Sequence, residues 1–171
     1  AELEETTVDQ LYARLTDAQK EEAFDDVTDE NKYISLAKKY ELVVGSGMGA
    51  FSPQADAQRQ EVAAILVNFI RRMAPQHWDE SRDYTQDVVI EDRVEIDDWA
   101  RQAVAYMVQC GLMPLDENQN FDPTGTMTVE EAVLLLSNFR LYLETPADPA
   151  SGVPAAVWIA GSVGAGAAAV A

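Results

Sequence analysis

The feature that most limits what this chain can fold into is that part of it is written twice. Laid against itself at an offset of 70 residues and without gaps, "LVVGSGMGAFSPQADAQRQEVAAILVNFIRR" from Leu42 falls on "LMPLDENQNFDPTGTMTVEEAVLLLSNFRLY" from Leu112. Leu42 meets Leu112, Phe51 meets Phe121, Pro53 meets Pro123, Glu61 meets Glu131, Leu66 meets Leu136, and Asn68-Phe69 meets Asn138-Phe139. A fixed offset of this kind marks one supersecondary unit used more than once, so each motif has to be read as part of that unit. A shorter trace stands at the N-terminus, where "TVDQLYARL" from Thr7 lies over "TVEEAVLLL" from Thr128, with Thr7 and Gln10 in the capping positions.

The unit reads as helix, loop, helix. Its first helix carries Tyr33, Leu36, Ala37 and Tyr40 in one copy and Trp99, Ala103, Tyr106, Met107 and Cys110 in the other, each a stripe at three- and four-residue steps. A Phe-x-Pro follows (Phe51 and Pro53, Phe121 and Pro123), in which Pro fixes its own φ and holds the preceding residue extended, while Phe pins the loop to the core. The second helix has an apolar face of Val62, Ile65, Leu66, Phe69, Ile70 and Met73, answered by Ala132, Leu135, Leu136, Phe139 and Leu143. Thr128 and Glu131 form a predicted capping box; in the earlier copy Gln58 caps less well, so Asp56 is expected to serve and to shift the helix start by two residues.

Composition narrows the function. A length of 171 residues and a hydrophobic fraction of 47% fit one folded domain of ordinary size with an appended tail. Thirty acids against twelve bases give a net charge of -18, which repels nucleic acid and leaves any anionic ligand dependent on local cations. Cys110 is the single cysteine and His77 the single histidine, too few for a thiolate or tetrahedral zinc site; Cys110 reads as a small core residue and His77 as part of a polar connection. The alternating Asp116, Asn118, Asn120 and Asp122 resemble the start of a calcium loop, but Phe121 and Met127 stand where that loop needs Gly and Glu, so a polar turn is expected. Gly45, Gly47 and Gly49 lack the Lys-Ser/Thr of a phosphate loop. The acidic pairs Asp25/Asp26, Asp97/Asp98 and Glu130/Glu131 are what thirty acids produce by chance, and no enzyme, metal or cofactor is called for.

Taken in order, "FDDV" at Phe24 to Val27, "VVGSGMGAFSP" from Val43 and "QRQE" from Gln58, then "DDWARQAV" from Asp97, "GLM" from Gly111, "NFDP" from Asn120 and "TVEE" from Thr128, the chain resembles the S-layer homology domain family. The resemblance runs from about Phe24 to Leu143 and rests on order and spacing, repeated twice. It implies an all-α fold of tandem helix-loop-helix repeats around a pseudo-symmetric helical core, and a non-catalytic module that binds anionic, pyruvylated secondary cell-wall polysaccharide at the bacterial surface. The Arg of the family's Thr-Arg-Ala-Glu motif corresponds to Arg59, where a guanidinium beside unpaired first-turn N–H groups would grip a carboxylate. The resemblance further implies a groove formed with Gly45, Gly47 and Gly49, which keep bulk away from that helix start, and with Asp26 and Trp99. In the second copy Val129 replaces the Arg, which favours an alternative: degenerate repeats acting as a structural spacer or protein-interaction module next to a membrane anchor.

The expected layout is an N-terminal helix in 1–23, the end of a preceding repeat; a repeat over 24–75; a connection over 76–93; a repeat over 94–144; a linker over 145–153; and an apolar segment over 154–171. No charge occurs from Val153 to Ala171, near the lower limit for a membrane span, with Trp158 placed as an interfacial anchor; a flexible Ala/Gly tail is the alternative. The chain opens on Ala1 with no signal peptide in view, as a processed protein or excised fragment would. With two full units, apolar faces left open would drive association between copies.

Overall fold

The computed structural model describes residues 7–17, 24–27 and 31–146. They are helical, with no strand among the described residues: α1 (Val8–Ala13), α2 (Lys32–Lys39), α3 (Arg59–Met73), α4 (Arg101–Gln109) and α5 (Val129–Glu144), and short 3-10 turns at Pro75–His77, Tyr84–Gln86 and Arg93–Glu95. The fold is all-α. Its contacts divide it into two compact units that part between Asp56 and Ala57. No helix among the described residues is long and apolar enough to cross a membrane, and the apolar segment 154–171 lies outside them.

In the first unit Thr7 caps α1: its hydroxyl accepts from the Gln10 N–H, and the Thr7 N–H donates to the Gln10 side chain at 2.8 Å. This is the capping box read from the sequence. The apolar contribution is small, with Leu15, Phe24 and Leu36 buried, the Phe24 and Phe51 rings 5.2 Å apart, and Lys38 Nζ 4.2 Å above the Phe24 ring. Lys32 on α2 pairs with Asp9 on α1. Tyr33, expected in the core stripe of α2, is 64% exposed, and Ser35 takes a buried place instead.

The second unit holds the larger core. Ala63, Leu66, Val67 and Ile70 of α3, Ala103, Val104, Tyr106 and Met107 of α4, and Leu135, Phe139 and Tyr142 of α5 are buried together. Phe69 meets Phe139 edge-on at 5.7 Å. The helix starts differ from expectation at one end only. Thr128 and Glu131 close their capping box as read, whereas α3 begins after Gln58 rather than Asp56, because the Gln58 N–H donates to Glu61 at 2.8 Å. The 3.6-residue face is less complete than the pattern promised: Met73 and Leu136 are 47% and 56% exposed.

The connection over 76–93 carries core residues that a periodicity search passes over. Tyr84 and His77 are fully buried. Tyr84 stacks with Trp78 at 4.7 Å and meets Tyr106 edge-on at 5.0 Å, while its N–H donates to Gln102 on α4, which in turn donates to Asp83. Hydrogen bonds from Thr85, Gln102 and Gln86 hold the Asp83 carboxyl well below the usual carboxylate range, so its charge is part of the scaffold. A chain of hydroxyls threads the core: Cys110 donates to Tyr142, the Tyr142 and Tyr106 hydroxyls bond each other, and Tyr106 donates to the His77 carbonyl at 2.6 Å. Burial pushes the Cys110 thiol up to about 11. As a small, half-buried core thiol it is no nucleophile near neutral pH.

His77 gives the unit a pH dependence. Burial lowers its pKa below the ordinary 6.5, only partly opposed by a hydrogen bond to the Leu143 backbone, and its Nδ1 has no hydrogen-bond partner among the described residues. As pH falls through 6.5 the unfolded chain takes up this proton before the folded one does, so stability falls on acidification from about pH 7.5 to 5. The lowered carboxylates act in the same direction but only at lower pH. Urea unfolding across this window is expected to show a falling midpoint for the parent chain and a nearly level one for His77→Gln.

Candidate functional site

The Phe-x-Pro loops are built the same way in both units, each by an aspartate far from it in sequence. In the first unit the Asp26 carboxylate accepts from the N–H groups of Phe51 and Ser52, both at 2.7 Å. In the second, Asp92 accepts from Phe121 at 2.8 Å and Asp122 at 2.7 Å. The backbone beside each aspartate adds one more bond, Asp25 N–H to Gly49 carbonyl and Glu91 N–H to Gln119 carbonyl, both 2.9 Å. Ser52 and Asp122 both sit in the left-handed region, at φ 64° and 57°. A residue other than Gly resists that conformation, and the carboxylate grips its amide. These bonds hold the Asp26 carboxyl below its ordinary value, the Phe51 N–H contributing most.

Asp26, named from the sequence as a groove residue, is therefore a loop clasp. Asp92, its counterpart, escaped the gapless comparison because it stands 66 residues after Asp26 while the loops stand 70 apart; the signal was "IED" at Ile90 to Asp92 against "FDD" at Phe24 to Asp26. Ile90 is buried as Phe24 is.

The glycines serve the same loop. A Cβ on Gly45 would stand 2.5 Å from the Phe24 ring, and one on Gly49 would stand 2.6 Å from the Asp25 carboxylate. Both have positive φ, so only glycine allows Phe24 and Asp25 to approach. Gly47 has open space around it. The expectation that these residues clear room for a ligand thus meets a local cause for two of the three.

Arg59 opens α3 in the second unit. Its Nε donates to the Phe121 carbonyl at 2.8 Å, its Nη2 to the Pro114 carbonyl at 3.4 Å, and its guanidinium lies 5.0 Å from the Phe121 ring centre. Its own N–H donates to the Gly125 carbonyl and that of Gln60 to the Pro123 carbonyl. The first-turn amides expected to be open to a carboxylate are thus already used by the second Phe-x-Pro loop. Gln60, 1% exposed, completes the junction by bonding Asp97 through both ends of its amide. Trp99 lies in the turn before α4 and is 58% exposed, which places it on the surface rather than in the apolar stripe. Arg59 and Trp99 belong to one unit and Gly45, Gly47, Gly49 and Asp26 to the other.

Asp116 likewise spends its carboxylate at home, accepting from the Asn118 and Asn120 N–H groups at 2.8 Å each, which makes "DENQN" a self-closed turn. The second loop supplies the sharper test of the clasp. Asp92→Ala is expected to lower stability by about 1–3 kcal/mol, since the Phe121 amide then lies buried without a partner, and Asp92→Asn by less because one acceptor remains. Urea unfolding followed at 222 nm measures both, and equal losses would contradict the two-amide clasp.

Searches of curated proteins and of solved structures return no match to this chain. A family model does match, that of the S-layer homology domain, over residues 90–133. The matched stretch opens on the Ile90–Asp92 segment and takes in α4, the clasped loop and the start of α5. Domains of this family are in general non-catalytic modules that attach proteins to the cell wall. The match supports an S-layer homology domain at residues 90–133.

Proposed function

We propose that the chain is a non-catalytic surface module that binds anionic, pyruvylated secondary cell-wall polysaccharide outside the bacterial cell. The observation that carries this is the clasped Phe-x-Pro loop. It lies inside the matched stretch as Asp92 with Phe121 and Asp122, and recurs outside it as Asp26 with Phe51 and Ser52. On that basis residues 24–75 and 94–144 are read as two repeats, with Asp92 of the second clasp standing just before its repeat; the capping box of Val8–Ala13, like that of α5, supports reading it as the end of an earlier one.

In this reading Arg59 has a double task. Two of its nitrogens fasten the second loop, and Nη1, which takes no part in those bonds, is left for a carboxylate on the polymer. Trp99 offers an exposed aromatic face to a sugar ring. Asp26, Gly45, Gly47 and Gly49 shape the corresponding loop of the first unit.

The rival is a spacer or protein-interaction module, and α5 favours it: Val129, Val133, Leu134, Leu136 and Leu141 are all exposed on one helix. Co-sedimentation with purified, protein-free cell wall separates the two. The parent chain is expected to pellet with wall, and to stop doing so after chemical removal of pyruvyl groups. Because Arg59→Ala also releases the Phe121 loop, its wall binding has to be read beside its unfolding midpoint. Arg59→Lys, which keeps the charge but loses the fork, is expected to weaken binding several-fold. A parent chain that stays in the supernatant at every wall concentration rules the proposal out.

A further inference from the structure

A second candidate site, which shares no lining residue with the Arg59 junction, is an open cleft of about 410 Å3 between the turn after Tyr84, the segment over 88–96 and the first turns of α4. Its volume falls in the range of about 300–1,000 Å3 common to small-molecule sites. Val88, Val94 and Ile96 give it aliphatic walls, and its charged lining consists of Arg93 and Arg101. No carboxylate lines it among the described residues, in a chain whose acids outnumber its bases thirty to twelve.

The two arginines are prepared differently. Arg101 is fixed: Nη1 pairs with Asp98 at 2.7 Å and Nε donates to the Ile96 carbonyl at 3.3 Å, which hold the guanidinium in one place with its side chain half exposed. Arg93 is exposed, and its side chain has no hydrogen bond or ion pair among the described residues. One anchored and one free guanidinium beside aliphatic walls suit a ligand with a carboxylate on one side and a C–H face on the other. The open planar fork of Arg93 meets both oxygens of a carboxylate, Arg101 adds the one nitrogen that Asp98 and Ile96 leave, and Val88, Val94 and Ile96 cover apolar ring atoms.

We infer that the Arg93–Arg101 cleft is a binding site for a carboxylate-bearing sugar, distinct from the loop junction at Arg59. This deepens the wall-binding reading, on which the choice of a sugar rests; the cleft and its charge do not depend on it. A polymer held at both places would gain by linkage more than either contact gives alone.

The test uses the full 171-residue chain and oligogalacturonate as the probe, followed by calorimetry and by amide chemical shifts. Shift changes are expected in residues 85–105, with an affinity that falls as salt rises. Arg93→Gln and Arg101→Gln are each expected to weaken binding at least fivefold and the double variant to abolish it, with unfolding midpoints close to the parent's, since both side chains are exposed. A double variant that binds like the parent, or shift changes confined to other residues, overturns the inference. So does poly(glycerol phosphate) binding at the same residues as tightly as the uronate, because the site would then select phosphate. Wall co-sedimentation separates the two claims. If the parent pellets with wall and the double variant pellets equally well, the cleft fails and the wall reading stands. If oligogalacturonate binds at Arg93 and Arg101 while the parent does not pellet, the cleft stands and the wall reading fails.

Discussion

A single carboxylate receiving two consecutive backbone N–H groups organises each half of this protein. The bond pair fixes more than a loop. The second of the two amides belongs to Ser52 or Asp122, whose left-handed backbone costs of order 1–2 kcal/mol in a residue other than Gly. That cost has to be met by something rigid, and a charge-assisted pair near 2.7 Å meets it. With the turn held, Phe121 is delivered to a fully buried position and its carbonyl is presented outward to Arg59. Without the aspartate the same Phe and Pro would still be apolar and stiff, but the direction in which the chain leaves them would be open.

The second consequence falls on the start of α3. A helix N-terminus carries unpaired N–H groups that attract anions, and from the residues alone Arg59 stands beside such an end. In the folded chain those donors meet the carbonyls of Gly125 and Pro123. The helix start and the next loop therefore satisfy each other, and Arg59 joins them as a staple with two hydrogen bonds and a ring contact. The same residue type at the same place thus does structural work, with two of its three guanidinium nitrogens spent on the loop.

How much of this was legible follows from where the signals lie along the chain. The helices and two of their caps were readable because each is local: Thr128 with Glu131, and Thr7 with Gln10, are pairs three residues apart, whereas the Gln58–Glu61 box was passed over for Asp56 because Gln is a poor cap by type. The clasps were not, because Asp26 acts 25 residues away and Asp92 acts 29 residues away, and a four-residue difference in spacing hid their equivalence. Tyr84 and His77 were missed for another reason. They sit among polar residues with no period, and what buries them is aromatic packing by the neighbouring Trp78 and by Tyr106 and Tyr142 from α4 and α5. Tyr33 and Trp99 failed in the opposite sense: they had the spacing of a core stripe, but each stands at or before the first turn of its helix, where fewer neighbours are available to cover a large ring.

The strong acidity bears on ligand choice more selectively than the total of -18 suggests. At physiological ionic strength a charge is felt over about 8 Å, so an anion on the surface responds to the few side chains around it. Among the described residues four arginines are matched locally: Arg71 with Glu80, Arg82 with Asp87, Arg101 with Asp98, Arg140 with Glu144. Such exposed pairs add at most about 1 kcal/mol each, but they leave little positive surface to share. A nucleic acid, with a charge every 1.7 Å or so along its axis, would have to lie across many unmatched acids to reach any one cation. A polymer with a single carboxylate per sugar repeat meets no such difficulty, since its charges are spaced widely enough for each to be set against one guanidinium while the neutral stretches pass the acids.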